Sequence, residues 1–400
     1  MSRRQDINAV KTGPQPKERA RLAFYIHSMR GGGAERVSAL VASGFARRGY
    51  PVDLVLNRAE GPHMAFVTPE VRVVSLDCRT AAAAPRLIRY VQETKPSCIV
   101  AALQHNNLNA AFAAKVTGIP FAATVHGIMS VHRHNIRTSA VIGTIAQFAA
   151  PLIYRVADAI GVVSEAVGRD IAYSAKRPDK FHVLHNPVDT NHFSSRSRAG
   201  DDAATRLPRD DGSPIVLAVG RFDRSKNFPL LIEAMKHMQA HGPVRLVLLG
   251  EGPEQANLER LARDLGIAER VHMPGFVTDP APWYRRAAVH AVASRCEGFG
   301  NTIIEALATG TPVVIADCIG APADLLGQGR YGTIVPAEDA AAMAAALIEA
   351  IRRPPDPVPL VARASDFSLE ACLDRYEVMI DALPGLAGTA PARSGVQRSA

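Results

Sequence analysis

From residue 21 onward the chain keeps returning to one unit: a short apolar, β-branched run, a turn, and a helix-period stretch. RLAFYIH (21–27), PVDLVLN (51–57), VRVVSL (71–76), SCIVAAL (97–103), IPFAATV (119–125) and DAIGVVS (158–164) are the runs of the first series. PIVLAVG (214–220), VRLVLLG (244–250), RVHMPG (270–275), AVHAVAS (288–294) and TPVVIAD (311–317) make a second series. Strands that are apolar on both faces and alternate with helices belong to parallel sheets covered on both sides. Between the two series lies SSRSRAGDDAATRLPRDDGS (194–213), polar, charged and unable to build a core, which reads as a linker. The expected fold class is therefore α/β: two doubly wound, Rossmann-like domains at 21–193 and 214–367, with a cleft at the carboxyl ends of their sheets. A last helix is expected over 368–383, after the Pro-rich break RRPPDPVP, and residues 1–20 and 384–400 are expected to be disordered.

Composition narrows the class further. At 400 residues, 47% hydrophobic and 21% charged, the chain suits two globular domains. No apolar run approaches the roughly 20 residues a spanning helix needs. The opening segment MSRRQDINAVKTGPQPKER lacks the apolar region of a secretory leader. Five scattered cysteines (Cys78, Cys98, Cys296, Cys318, Cys372), never spaced C-x-x-C, read as reduced thiols of a cytoplasmic protein without structural zinc. Charge is uneven: residues 1–190 hold 24 Lys+Arg against 13 Asp+Glu, a net of +11, while the whole chain is +8. The first half is thus expected to meet something anionic, the alternative being that its arginines serve solubility alone.

Three segments carry candidate chemistry. Gly31-Gly32-Gly33-Ala34-Glu35 lies between the first strand and the first helix, where glycine N–H groups and the helix dipole suit a phosphate. It is not G-x-G-x-x-G, because position 36 is Arg, and Asp53 stands near the start of the second strand rather than its end; a structural turn is the alternative. In GRFDRSKNFPLLIEA, Arg221 and Lys226 follow the first strand of the second series, a fork and a point charge suited to a diphosphate, or else a solvated basic loop. The most specific segment is CEGFGNTIIEAL, where Glu297 and Glu305 have seven residues between them. Phe299, Gly300, Asn301 and Thr302 open the helix there, so its N-terminus can hold phosphate while Glu305 accepts from ribose hydroxyls and Glu297 faces the group the phosphate carries. A charged pair on a solvated helix face is the alternative. His126 ends the fifth run and can donate to a sugar hydroxyl or an oxyanion, or be a satisfied polar residue. Glu251, Phe276 and Val277, at the ends of two later runs, can line a base pocket, and His185-Asn186-Pro187-Val188-Asp189 reads as hinge structure. No metal-ligand spacing stands out, so no metal and no cofactor are expected.

GGAERV, GRFDRSKNFPLLIEA, LLGEGPEQANLERLARDLG and EGFGNTIIEALATGTPVV resemble the signatures of the retaining glycosyltransferases of family 4, with the two-domain GT-B fold, over about residues 21–380. The resemblance implies a hexose or N-acetylhexosamine transferred from a UDP-linked donor to a glycan or polyprenyl-diphosphate-linked acceptor, in surface polysaccharide synthesis, without nucleic acid as a partner. It implies that Arg221 and Lys226 hold the diphosphate, Glu305 the ribose and Glu297 the donor sugar with His126 beside it, and that the final helix crosses back to the first domain. CIGAPADLL (318–326) departs from the Pro-Ser-Gly-Pro-type loop of the undecaprenyl-linked N-acetylhexosamine transferases, which leaves the donor sugar open. A nucleotide-sugar epimerase on the same fold, or a non-catalytic sugar-nucleotide or acceptor-binding subunit, are the other readings. The stretch from Ser130 to Ala159, with Arg133 and Arg137 ahead of an apolar run, is expected to dock on the inner face of a membrane, or to be a core helix.

Overall fold

A computed structural model describes residues 19–30, 32–128, 149–175, 178–194, 207 and 211–387. Gly31, most of the 194–213 linker, residues 129–148 of the basic–apolar stretch and the greater part of both termini lie outside the described residues.

The first domain is a seven-stranded parallel sheet: β1 (Leu22–Ile26), β2 (Val52–Leu56), β3 (Arg72–Ser75), β4 (Cys98–Ala102), β5 (Phe121–Val125), β6 (Ala159–Val162) and β7 (Phe181–Val183), in the order β3-β2-β1-β4-β5-β6-β7. Alternate residues of one strand serve opposite cores. Leu22, Phe24 and Ile26 pack with Leu54, Phe45 and Val41 on one face. Ala23 and Tyr25 pack with Val55, Tyr90, Phe121 and Tyr154 on the other. This is why β1, β2, β4 and β5 read as unbroken apolar runs. The one charge within them, Asp53, is fully buried and binds Arg21 Nη1 (3.0 Å), Arg72 Nε (2.8 Å) and Tyr90 Oη (2.6 Å), so it is a structural carboxylate.

The second domain repeats the plan with β8 (Ile215–Val219), β9 (Arg245–Leu249), β10 (Val271–Gly275), β11 (Val289–Val292), β13 (Val313–Ala316) and β15 (Thr333–Val335), ordered β10-β9-β8-β11-β13-β15 and parallel throughout. Beside it β12 (Cys296–Glu297) and β14 (Ile319–Gly320) form a small two-stranded ladder in which Glu297 faces Gly320. All eleven apolar runs are strands. β7, β12, β14 and β15 were not among them, because segments of two or three residues show no periodicity.

In each sheet the chain order reverses beside the first strand, between β1 and β4 and between β8 and β11, and the carboxyl ends of both switch points open onto the space between the domains. The Pro-rich break holds a helix: Pro357–Ser365 begins on Pro357, with Asp356 Oδ1 accepting from Val358 N at 3.0 Å. The final helix, Leu369–Asp381, is capped by Ser368. Its Leu373, Tyr376, Met379 and Ile380 enter the core of the first domain, and its Glu370, Asp374 and Glu377 surround Arg48.

Candidate functional site

A cleft of about 780 Å³ separates the two domains. The sequence brings Gly32, Gly33, His126, Arg221, Lys226, Glu297, Phe299, Gly300, Asn301 and Thr302 to its walls together. They come from both ends of the chain, each at or just after a strand end, as the doubly wound plan requires.

The second-domain wall is the cationic one. Arg221 directly follows the Gly220 turn after β8, is exposed, and makes no ion pair among the described residues. Lys226 pairs with Glu297 Oε1, which also accepts from Ser294 Oγ at 2.9 Å. Burial pulls the Lys226 ammonium down, but the Glu297 charge and hydrogen bond outweigh it and leave the group above its ordinary range. Lys226 is therefore a fixed cation. The loop after Glu297 is drawn tight against the first domain: Ser164 Oγ donates to Gly298 O at 2.7 Å, and a Cβ on Gly298 would stand 2.5 Å from His126 O. Gly300, at φ 111°, opens the helix Asn301–Thr309, and its N-terminal N–H groups face the cleft beside Lys226.

The first-domain wall is made of Glu35, Leu103, Gln104, His105, Thr124, His126 and Asn186. Burial pushes His126 and His105 down to about 4, so both rings are neutral at physiological pH. His126 Nε2 lies 3.1 Å from Thr124 Oγ1. Asn186 Nδ2 donates to Asn301 Oδ1 at 3.0 Å, one direct bond between the domains. His126 Nδ1 and Asn186 Oδ1 have no hydrogen-bond partner of normal geometry.

Four sets of candidate residues have surroundings that sequence spacing did not indicate. Glu305 is not a free carboxylate on the cleft. It is buried, accepts from Arg36 Nη1 and from Tyr284 Oη at 3.0 Å each, and borders a small separate void with Val37, Pro187 and Val188. A carboxylate that deep must be paired, and Arg36, the residue that breaks the G-x-G-x-x-G pattern, supplies the charge from the first domain. Phe299, though on the cleft wall, also packs its ring into the domain junction, 5.6 Å from His185 and 5.7 Å from Phe367. Asn186, read as hinge, is a wall residue, because the missed β7 places it just past a strand end. Glu251 and Phe276 meet each other, Glu251 Oε1 accepting from Phe276 N at 3.3 Å, and the Phe276 ring is 61% exposed. Reading the sequence also passed over Arg36, Gln104, His105 and Tyr284. The position of Gln104 and His105 directly after the fourth apolar run was the available signal.

Comparison with known proteins agrees with this architecture. The family profile described as Glycosyltransferase Family 4 matches residues 31–192, and that of Glycosyl transferases group 1 matches residues 201–366. The lipopolysaccharide core biosynthesis glycosyltransferase LpsE of Rhizobium meliloti is 34% identical over 201 residues, 48% of this chain and 57% of that protein, so the match spans little more than half its length. The N-acetylgalactosamine-N,N'-diacetylbacillosaminyl-diphospho-undecaprenol 4-alpha-N-acetylgalactosaminyltransferase of Campylobacter jejuni is 26% identical over 79% of this chain and 86% of its own. The crystal structure of Anabaena HepE in complex with UDP and glucose superposes with a TM-score of 0.76 over 89% of this chain and 98% of that one, at 21% identity, a likeness of fold. Two Rossmann-like domains, each matched by a glycosyltransferase profile and together spanning residues 31–366, make this chain a member of glycosyltransferase family 4 with the GT-B fold.

Proposed function

We propose that the protein is a retaining, metal-independent glycosyltransferase that moves a hexose or N-acetylhexosamine from a UDP-linked donor to a glycan or polyprenyl-diphosphate-linked acceptor of a surface polysaccharide. The observation that carries this reading is the cationic wall, on which Arg221, the fixed Lys226 cation and the N-terminus of Asn301–Thr309 converge. As the bond from the anomeric carbon to the diphosphate oxygen breaks, negative charge grows on the diphosphate, and these groups are in place to stabilise it. They supply the charge that a divalent ion supplies in other transferases. Glu297, held by Lys226 and Ser294, would face the donor sugar. A bound sugar would meet His126 and Asn186 on the facing wall. Glu305 would take ribose hydroxyls by sharing its oxygens with Arg36 and Tyr284, and Glu251, Phe276 and Val277 would receive the base. Similar proteins are named for lipopolysaccharide core synthesis and for a diphospho-undecaprenol acceptor, which supports an acceptor of that class.

Calorimetric titration with UDP and GDP tests the site. Wild type is expected to bind UDP more tightly than GDP, and Lys226→Ala to weaken UDP by about 2 kcal/mol, roughly 30-fold, for a lost charge-assisted hydrogen bond. Equal UDP affinity in wild type and Lys226→Ala would remove the diphosphate from this wall.

A further inference from the structure

The helix Gln104–Thr117 packs on the first sheet with its small residues inward and its large ones outward. Ala110, Ala111, Ala113 and Ala114 are buried, while Phe112 is 55% and Val116 54% exposed, one turn apart on the outer side. The neighbouring helix Ala150–Val156 repeats this: Ile153 and Tyr154 are fully buried and Leu152 is 60% exposed. Between the two helices runs a groove of about 740 Å³, lined by buried Ala111, Ile119 and Ile153 and by exposed Phe112 and Leu152. Covering the sheet does not require a phenylalanine, a valine and a leucine gathered in water on one face.

The charges of this face have one sign. Lys115 follows Phe112 by three residues and Arg155 follows Leu152 by three; both are exposed and line the groove, and neither makes an ion pair among the described residues. Asp158, also at the groove, has its Oδ2 accepting from Phe121 N at 3.0 Å. Both helices come from a stretch, residues 94–157, that holds five Lys or Arg and no Asp or Glu. With 38 acids in 400 residues, a stretch of that length would hold about six at the chain's average. A second copy of the chain seated face to face here would set Lys115 and Arg155 against their own equivalents, so like charges oppose that occupant.

We propose that this face is a membrane-docking surface, on which Phe112, Val116 and Leu152 enter the acyl boundary of a bilayer and Lys115 and Arg155 meet the phosphates of anionic lipids. Apolar tips with a cation one turn away are what the headgroup boundary accommodates, because Lys and Arg lay their stems along apolar surface and keep their charged ends in water. The proposal goes beyond the transferase reading and stands without it. The helix Gln104–Thr117 begins at the cleft wall, and Phe112 lies roughly 12 Å along its axis from Gln104. The docking face and the donor wall are therefore separate.

Sedimentation with phosphatidylcholine vesicles, with and without phosphatidylglycerol, tests the face. Wild type is expected to bind the vesicles that contain phosphatidylglycerol and to be weakened by salt. Lys115→Gln with Arg155→Gln is expected to weaken that binding about fivefold for each cation removed. Phe112→Ser with Leu152→Ser is expected to weaken it about tenfold and to leave the remainder wholly salt-sensitive. Thermal midpoints close to wild type in both double variants show that the fold is intact, as expected for exposed side chains. Wild type that ignores both kinds of vesicle would overturn the proposal, as would binding that is indifferent to phosphatidylglycerol. Undiminished binding in both double variants would put the membrane contact elsewhere on the chain. A wild-type dimer that Phe112→Ser with Leu152→Ser turns into a monomer, without vesicle binding, would give the face to a second copy.

Discussion

His105, His126 and His185 are pushed down to about 4 by burial, and His290, fully buried with Nδ1 3.0 Å from Leu217 O, to about 3. In the unfolded chain each returns to an ordinary value near 6.5. Below that pH the unfolded state binds more protons than the folded one, so stability falls as pH drops from about 6.5 toward 4, by up to about 1.4 kcal/mol per pH unit for each histidine. Glu35 and Glu305, raised by burial, oppose the trend, whereas Asp53, lowered by Arg72 and Tyr90 despite its burial, adds to the loss only at the acid end of the range. Urea unfolding at pH 7.0, 6.0 and 5.0 is expected to show a steadily falling midpoint. His290→Asn, which cannot charge, is expected to flatten the slope, and an unchanged slope in that variant would contradict the burial argument. These individual charges were the least legible part of the sequence. HGIM and QHNN name histidines, but only the folded cleft shows that both are neutral.

Helices were easier to read than the ties between them. The alternating runs located every long strand, since burial on both faces leaves an unbroken apolar stretch, and Pro357 and Ser368 marked the last helix starts once the fold was known. What periodicity could not show is a pairing 269 residues apart in the chain: the helix Gly33–Arg47 reaches the helix Asn301–Thr309 through Arg36 and Glu305. Glu305 stood out in the sequence, yet its partners Arg36 and Tyr284 come from elements that sequence spacing does not link to it. Arg36→Met leaves Glu305 with Tyr284 alone and a buried charge uncompensated. Thermal or urea unfolding is expected to show a loss of about 3 kcal/mol, largely regained in the Arg36→Met, Glu305→Gln double variant. Equal stability of Arg36→Met and wild type would mean that this pair does not join the domains.

Seen entire, the protein presents a cationic wall and a carboxylate–imidazole wall across one cleft, and residues 1–190 of the sequence carry a net charge of +11. None of the helices among the described residues is long and apolar enough to cross a membrane. We propose that the first domain docks on an anionic membrane surface, each nearby Lys or Arg contributing up to about 1 kcal/mol. Flotation with anionic liposomes is expected to recover the protein at low salt and release it at high salt, and Arg133→Glu with Arg137→Glu to weaken recovery. Equal recovery on neutral liposomes would exclude an electrostatic mode. Transfer itself is the decisive readout. Purified protein is incubated with radiolabelled UDP-sugars and GDP-sugars, a bacterial lipid extract and excess EDTA, and label is counted in the lipid-linked and glycan fractions. The account predicts label from one UDP-sugar, retained α configuration at the new bond, and loss of most of the signal in Lys226→Ala. No label from any donor, label only when magnesium or manganese is restored, or an undiminished signal in Lys226→Ala would contradict it.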